Sequence, residues 1–305
     1  VSFPIIEPVE QAHRPRRGLR ARPRSAGNFR QHCNLVYAEA AGVGLTLDVF
    51  EPTAESNGRA IVDVVSGGWH SDRVRLNEHI GLGAIDAFCA EGFTVFAVAP
   101  GSASHFTALE MVTHIHAAIR YVRAQATTWQ IAPAPLGLCG VSAGGHLAAL
   151  TALSPEASDP KARQSWFQHG TEVSAVGLFF PPTDFLDYGG NLFPFERGGE
   201  FSVPRLLFAD GLAGKDDAAM RDAARKISPL HQIRTAHPPF FLTHATEDVV
   251  VPYDQSTRYV DALTAAGVEA TLHTHDGPGH PWSTIAETCA EMATWFKERL
   301  HAATG

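Results

Sequence analysis

The sequence predicts an α/β protein: a mostly parallel, twisted sheet flanked by helices, with a short cap insertion. Three observations predict it. Short apolar runs of strand length alternate with helical patterns, which implies a sheet covered on both faces. Apolar residues make up 45% and charged residues 18%, the balance of a globular chain. A chain of 305 residues buries a large core without cross-links. Its four cysteines include no C-x-x-C pair, so neither a disulfide scaffold nor a zinc ribbon is expected. A net charge of −8 excludes a general nucleic-acid binder. No uninterrupted apolar stretch approaches ~18 residues, so no membrane span is expected.

Residues 1–33 read as a basic arm. Arg14, Arg16, Arg17, Arg20, Arg22, Arg24 and Arg30, with four prolines, leave little to bury. Arg16-Arg17 resembles a twin-arginine export signal, but no apolar stretch follows it. The chain opens on Val1, and the reading leaves a soluble location open between the cytoplasm and export after processing.

Residues 34–305 read as one domain. Tyr37 to Phe50 alternates around a glycine-containing turn, the pattern of a hairpin. AIVDVV (60–65) and FTVFAV (93–98) are buried strands. Between them Asn77 to Glu91 reads as one helix, with Ile80, Ile85, Phe88 and Cys89 on its apolar side. Val112, Ile115, Ile119 and Val122 recur at helical spacing and predict a helix over 108–124. PLGLCGV (135–141) is a strand that runs into a helix near Ser142. Strands follow at 173–180, 239–243 and 269–275, with helices at 256–266, stopped by Gly267, and 284–301. Residues 181–236 form a long proline- and glycine-rich connection, read as the cap.

Gly140-Val141-Ser142-Ala143-Gly144 is G-x-S-x-G at a predicted strand-to-helix junction. The spacing has a physical reason. A serine that must stand clear of a sheet sits on a strained turn, and small residues two positions either side let strand and helix close up. A serine hydroxyl then needs a base, and the base needs an orienting carboxylate. Asp248 follows the strand at 239–243, and His280 lies in a Gly/Pro loop after the strand at 269–275. The C-terminal ends of strands in open α/β sheets are where sites gather. Asp184, after the strand at 173–180, is the rival acid, and Glu247 adjoins Asp248. Asp248 is preferred because its loop continues into a helix. His114 and His116 point to different sides of a helix, and His273 and His275 lack a third ligand, so no metal site is expected. His146 reads as packing on the elbow helix. Gly67 and Gly68 follow the strand at 60–65. With the Ala143 N–H they are candidate donors to an oxyanion.

The motifs LTLDVFEP, SGGW, GVSAGGHLA, HATEDVVVPYDQS and GPGHPW stand in the order found in α/β-hydrolase serine esterases. Over residues 35–300 the chain resembles that superfamily. It is closest to the feruloyl-esterase-like or hormone-sensitive-lipase-type carboxylesterase branch. The resemblance implies an α/β-hydrolase fold, with Ser142 as nucleophile, His280 as base, Asp248 as acid, and Gly67, Gly68 and Ala143 as oxyanion donors. Two departures mark this chain. Val65-Ser66-Gly67-Gly68-Trp69 stands where the family reads His-Gly-Gly-Gly-Trp, so the oxyanion loop lacks a loop-fixing histidine. Val98-Ala99-Pro100-Gly101-Ser102 replaces an Asn-Tyr-Arg-Leu-like turn.

The expected activity is hydrolysis of a small-molecule carboxylic ester through an acyl-serine, without cofactor or metal. Expected pocket residues are Trp69, His70, Phe180, Phe193, Phe195 and Trp282. An amidase, arylformamidase or peptidase on the same fold, and a non-catalytic hydrolase-like binding protein, are the alternatives.

Overall fold

The computed structural model describes residues 27–196 and 202–302. Its eight strands form one sheet in the order β1-β2-β4-β3-β5-β6-β7-β8. β1 (Phe29–Ala40) and β2 (Val43–Pro52) make an antiparallel hairpin. The chain reverses at Ala41-Gly42, both at positive φ, the geometry that matches strand twist in a two-residue turn. β2 also pairs antiparallel with β4 (Thr94–Val98). From there the sheet is parallel through β3 (Ala60–Val64), β5 (Leu136–Val141), β6 (Ala175–Phe179), β7 (Phe240–Ala245) and β8 (Ala270–His275).

Parallel strands with helices on both faces read as continuous apolar runs, and these do. Alternate side chains of one strand serve opposite cores: Phe96 packs in one cluster and its neighbour Val95 in the other. The first core takes Ile115 and Ile119 of α3 (Ala108–Ala124), Leu147 of α4 (Ala143–Leu153) and Tyr259 of α6 (Asp254–Ala265). The second takes Phe88 of α2 (Ala84–Ala90) and Phe296 of α7 (Ile285–Ala302).

The sequence pattern is corrected in three places. The single helix expected over 77–91 is two, α1 (Arg73–Leu82) and α2, because Gly83 takes φ 88° and stops the first. Asp72 starts α1 earlier, since its carboxylate accepts the Val74 and Arg75 N–H groups. Residues 29–33, expected in the arm, belong to β1. Phe29 is buried edge-on against Phe50 at 5.0 Å, and the register with β2 begins there. Residues 1–26 of the arm, with its arginine pair, lie outside the described residues. The connection 181–236 contains a helix that the glycine- and proline-rich pattern concealed, α5 (Asp217–Ile227), capped by Asp216. Among the described residues no helix is long and apolar enough to cross a membrane.

Candidate active site

Ser142 occupies the junction of β5 and α4 at φ 53° and ψ −119°. Such a backbone costs a non-glycine residue on the order of 1–3 kcal/mol and survives only where its surroundings impose it. Here they do. A Cβ on Gly140 would lie 2.4 Å from the Gly144 carbonyl oxygen, and one on Gly144 would lie 2.2 Å from that of Val64. The two glycines thus let β3, β5 and α4 close around the serine. The Ser142 N–H donates to the Phe179 carbonyl (2.9 Å) and the Gly144 N–H to that of Ser66 (3.0 Å).

His280 Nε2 stands 3.0 Å from Ser142 Oγ, and His280 Nδ1 stands 2.6 Å from Asp248 Oδ2. With Nδ1–H donated to the carboxylate, Nε2 is left to accept the serine proton. The second oxygen, Asp248 Oδ1, accepts the N–H groups of Val250 (2.7 Å) and Val251 (3.0 Å). Burial alone would raise the Asp248 pKa. Hydrogen bonds from His244, His280 and the backbone overcome that and hold it well below the usual carboxylate range. His244 is fully buried. It receives the Ser256 hydroxyl at Nδ1 (2.7 Å) and donates Nε2–H to the Val251 carbonyl (3.0 Å).

The rival acids stand elsewhere. Asp184 is buried in ion pairs with Arg258 and with His231 (3.1 Å). Glu247 is exposed to solvent. His114 and His116 turn apart, the first to the Pro100 carbonyl (2.7 Å) and the second to Glu156 (3.2 Å). All four cysteines are free.

The loop after β3 corrects one expected donor. Gly67 and His70 exchange both backbone hydrogen bonds at 3.0 Å, so the Gly67 N–H is already committed. Gly68 and Trp69 follow at φ 55° and 60°. The Gly68 backbone lines the cavity beside Ala143, which opens α4 and so lies at a helix N-terminus. The loop that follows β3, with Val65 at its start, is tied down through Trp69. Trp69 Nε1–H donates to His146 Nδ1 (2.9 Å), and His146 Nε2–H donates to the Ile227 carbonyl at the end of α5 (2.7 Å). Burial pushes the His146 pKa down to about 4. A neutral ring is what accepting at Nδ1 requires.

These groups border a cavity of about 720 Å³. Ser142, His280, Gly67, Gly68, Ala143, Trp69, Phe180 and Phe193 line it as expected. Phe180 also lies 4.2 Å from His280, ring to ring. Three expected pocket residues are not part of its wall. Phe195 stacks on Phe185, Trp282 stacks on His275 at 4.9 Å, and His70 pairs with Gly67 through its backbone. The sequence reading missed Arg75, Glu78 and His79 on α1, Tyr188, and the run Val249–Val251. Only the valines left a signal, an apolar triplet beside the acid; Val249 is 95% exposed. Among the described residues no group of three or more His, Cys, Asp or Glu side chains is arranged to hold a metal.

A serine on a strand-to-helix elbow, served by His–Asp from the next strand ends of a mostly parallel eight-stranded sheet, defines the α/β-hydrolase class. Within it the chain belongs to the BD-FAE family, whose model matches residues 47–263. It is 29% identical to the esterase LipQ of Mycobacterium tuberculosis, over 58% of this chain and 39% of that one. It is 26% identical to an acetylxylan esterase of Xylanibacter ruminicola, over 79% of this chain and 43% of the other. The chain therefore spans less than half the length of these curated relatives. A truncated carbohydrate esterase from gut microbiota shares the fold with a TM-score of 0.75 at 22% identity, covering 92% of this chain and 100% of that one.

Proposed function

We propose that the chain is a serine carboxylesterase in which Ser142 is the nucleophile, His280 the general base and acid, and Asp248 the orienting carboxylate. The observation that carries this reading is the unbroken line Ser142 Oγ, His280 and Asp248, with contacts of 3.0 and 2.6 Å.

In the first step Ser142 Oγ bonds to the ester carbonyl carbon while its proton passes to His280 Nε2. Charge gathers on the carbonyl oxygen, facing the Gly68 and Ala143 N–H groups. Such donors are worth about 3–4 kcal/mol each to the transition state. The bond to the alcohol oxygen then breaks, and His280 returns the proton to that oxygen. In the second step water gives its proton to His280 and attacks the acyl-serine. The acid leaves and Ser142 recovers its proton. Asp248 stays ionised throughout and stabilises the imidazolium.

A serine-directed fluorophosphonate tests the reading. The intact protein should gain one adduct, located at Ser142 by peptide mass, and should hydrolyse p-nitrophenyl esters faster than matched aryl amides. No adduct would remove the reading. Faster amide turnover would move the assignment to an amidase.

A further inference from the structure

One wall of the cavity carries polar groups that the proposed ester chemistry does not use. Asp63 sits inside β3, a strand otherwise wholly apolar, and is buried. It receives His79 Nδ1–H from α1 at 2.8 Å. His79 is itself almost fully buried, yet it lines the cavity, and no protein group among the described residues takes its Nε2. Ser66, at the root of the oxyanion loop, also lines the cavity, and its buried Oγ has no hydrogen-bond partner among the described residues. Arg75 lies one helical turn before His79 on α1, and Glu78, three residues after Arg75, also lines the cavity. The Arg75 stem lies so close to the loop that a Cβ on Gly67 would stand 2.6 Å from its Cδ.

We propose that Ser66, Arg75 and His79 form a subsite that takes an uncharged hydroxyl group carried by the ester substrate. The proposal rests on the esterase reading and adds a substrate feature to it. Among the described residues Ser66 Oγ is a buried polar atom without a partner, and His79 is a cavity-lining side chain whose Nε2 the protein leaves unused, so a ligand group able to pair with both answers an unmet need. Charge decides which group. Arg75 is answered by Glu78 at 2.8 Å, and His79 is held by Asp63. Two carboxylates against one permanent cation leave nothing for a third anion, which disfavours a carboxylate or phosphate. With Nδ1–H given to Asp63, Nε2 is the ring atom of His79 left to pair with a ligand. Ser66 and Arg75 present donors. A group that donates once and accepts once fits that pattern, and a hydroxyl does both. Asp63, which a strand core would otherwise reject, serves to aim the ring.

Two matched ester pairs test this, one for each side of the scissile bond. On the alcohol side, 2-hydroxyethyl butyrate is compared with propyl butyrate. On the acyl side, p-nitrophenyl 3-hydroxybutyrate is compared with p-nitrophenyl 3-methylbutyrate. In at least one pair the hydroxy ester should have a kcat/KM higher by roughly 10-fold, the scale of one neutral hydrogen bond. His79→Leu and Ser66→Ala should each bring that ratio toward one. Stoichiometric fluorophosphonate labelling of Ser142 certifies that each variant is folded, and if His79→Leu fails there, Ser66→Ala carries the test. No preference in the wild type, or a preference that survives in a labelled variant, would overturn the subsite. Absence of labelling and hydrolysis in the wild type is a separate result, and it removes the esterase reading instead.

Discussion

His244 Nε2 lies 3.3 Å from Asp248 Oδ2, the same carboxylate oxygen that receives His280 Nδ1–H at 2.6 Å. One oxygen is thus shared by two imidazoles. The inner one is locked by the Ser256 hydroxyl and the Val251 carbonyl, so it fixes where the acid stands. In His244→Asn the carboxylate should lose its share of the Nε2–H, which points mainly at the Val251 carbonyl, and part of its aim. A hydrogen bond to a charged group is worth about 1.5–3 kcal/mol. If about half of that is felt in the transition state, kcat falls by roughly 10-fold with KM little changed. Steady-state kinetics on one p-nitrophenyl ester reads this. An unchanged kcat would reduce His244 to packing.

Asp248→Asn and Asp184→Asn should part company. The first removes the partner of the imidazolium, and a loss of about 10⁴-fold in kcat is the scale for such a change. The second breaks a buried ion-pair cluster with Arg258 and His231, away from the serine. Removing one partner of a buried pair costs about 3–5 kcal/mol, and the partial exposure of Arg258 cuts that to about 1–3 kcal/mol. Urea denaturation should therefore move for Asp184→Asn while kcat stays within a few-fold. The reverse pattern would place the triad acid after β6.

His146 makes stability depend on pH. Its pKa in the folded protein is about 4, against about 6.5 for an unfolded histidine. The unfolded chain binds this proton first, so the full contribution is present above pH ~6.5 and is lost as pH falls toward 4. The difference amounts to roughly 3 kcal/mol. In His146→Gln that part of the acid-side decline should disappear, and the slope of unfolding free energy between pH 7 and 4.5 should flatten. An unaltered slope would mean that the ring does not stay neutral in the folded protein.

Phe193 and Phe195 separate selectivity from packing. Phe193 lines the cavity and meets Trp69 edge-on at 5.5 Å, whereas Phe195 is buried against Phe185. Phe193→Ala should shift relative kcat/KM between short and bulky esters. Phe195→Ala should leave that ratio alone and destabilise the fold by about 3–5 kcal/mol. Equal effects of both on every ester would make the turn purely structural.

The strands and the candidate triad were legible because their causes are local. A buried parallel strand must be apolar along its whole length, and β4, β5 and β6 are. The Thr107–Glu110 capping box and the periodic apolar stripe account for α3 at its observed limits. Where local cues compete, the reading slipped. Gly83 lies inside an acceptable helical pattern, and only its left-handed backbone shows that one helix ends there. Residues 29–33 carry arm-like charge, yet pairing with β2 draws them into the sheet.

The sequence by itself determined the elbow, since Gly140 and Gly144 are required by contacts within five residues of Ser142 and by the strand beneath it. It also determined the order of serine, acid and histidine along the strand ends. Only the tertiary structure decided which groups are free to act. The Gly67 N–H is withdrawn by His70, and Asp184 is withdrawn by Arg258. Trp69 is held by His146 from 77 residues away, and α1 brings Arg75 and His79 to the cavity that Ser142 also lines. A hydrogen bond spends a donor only when its acceptor arrives within about 3 Å. Chain order does not encode that distance; the packing of the two cores does.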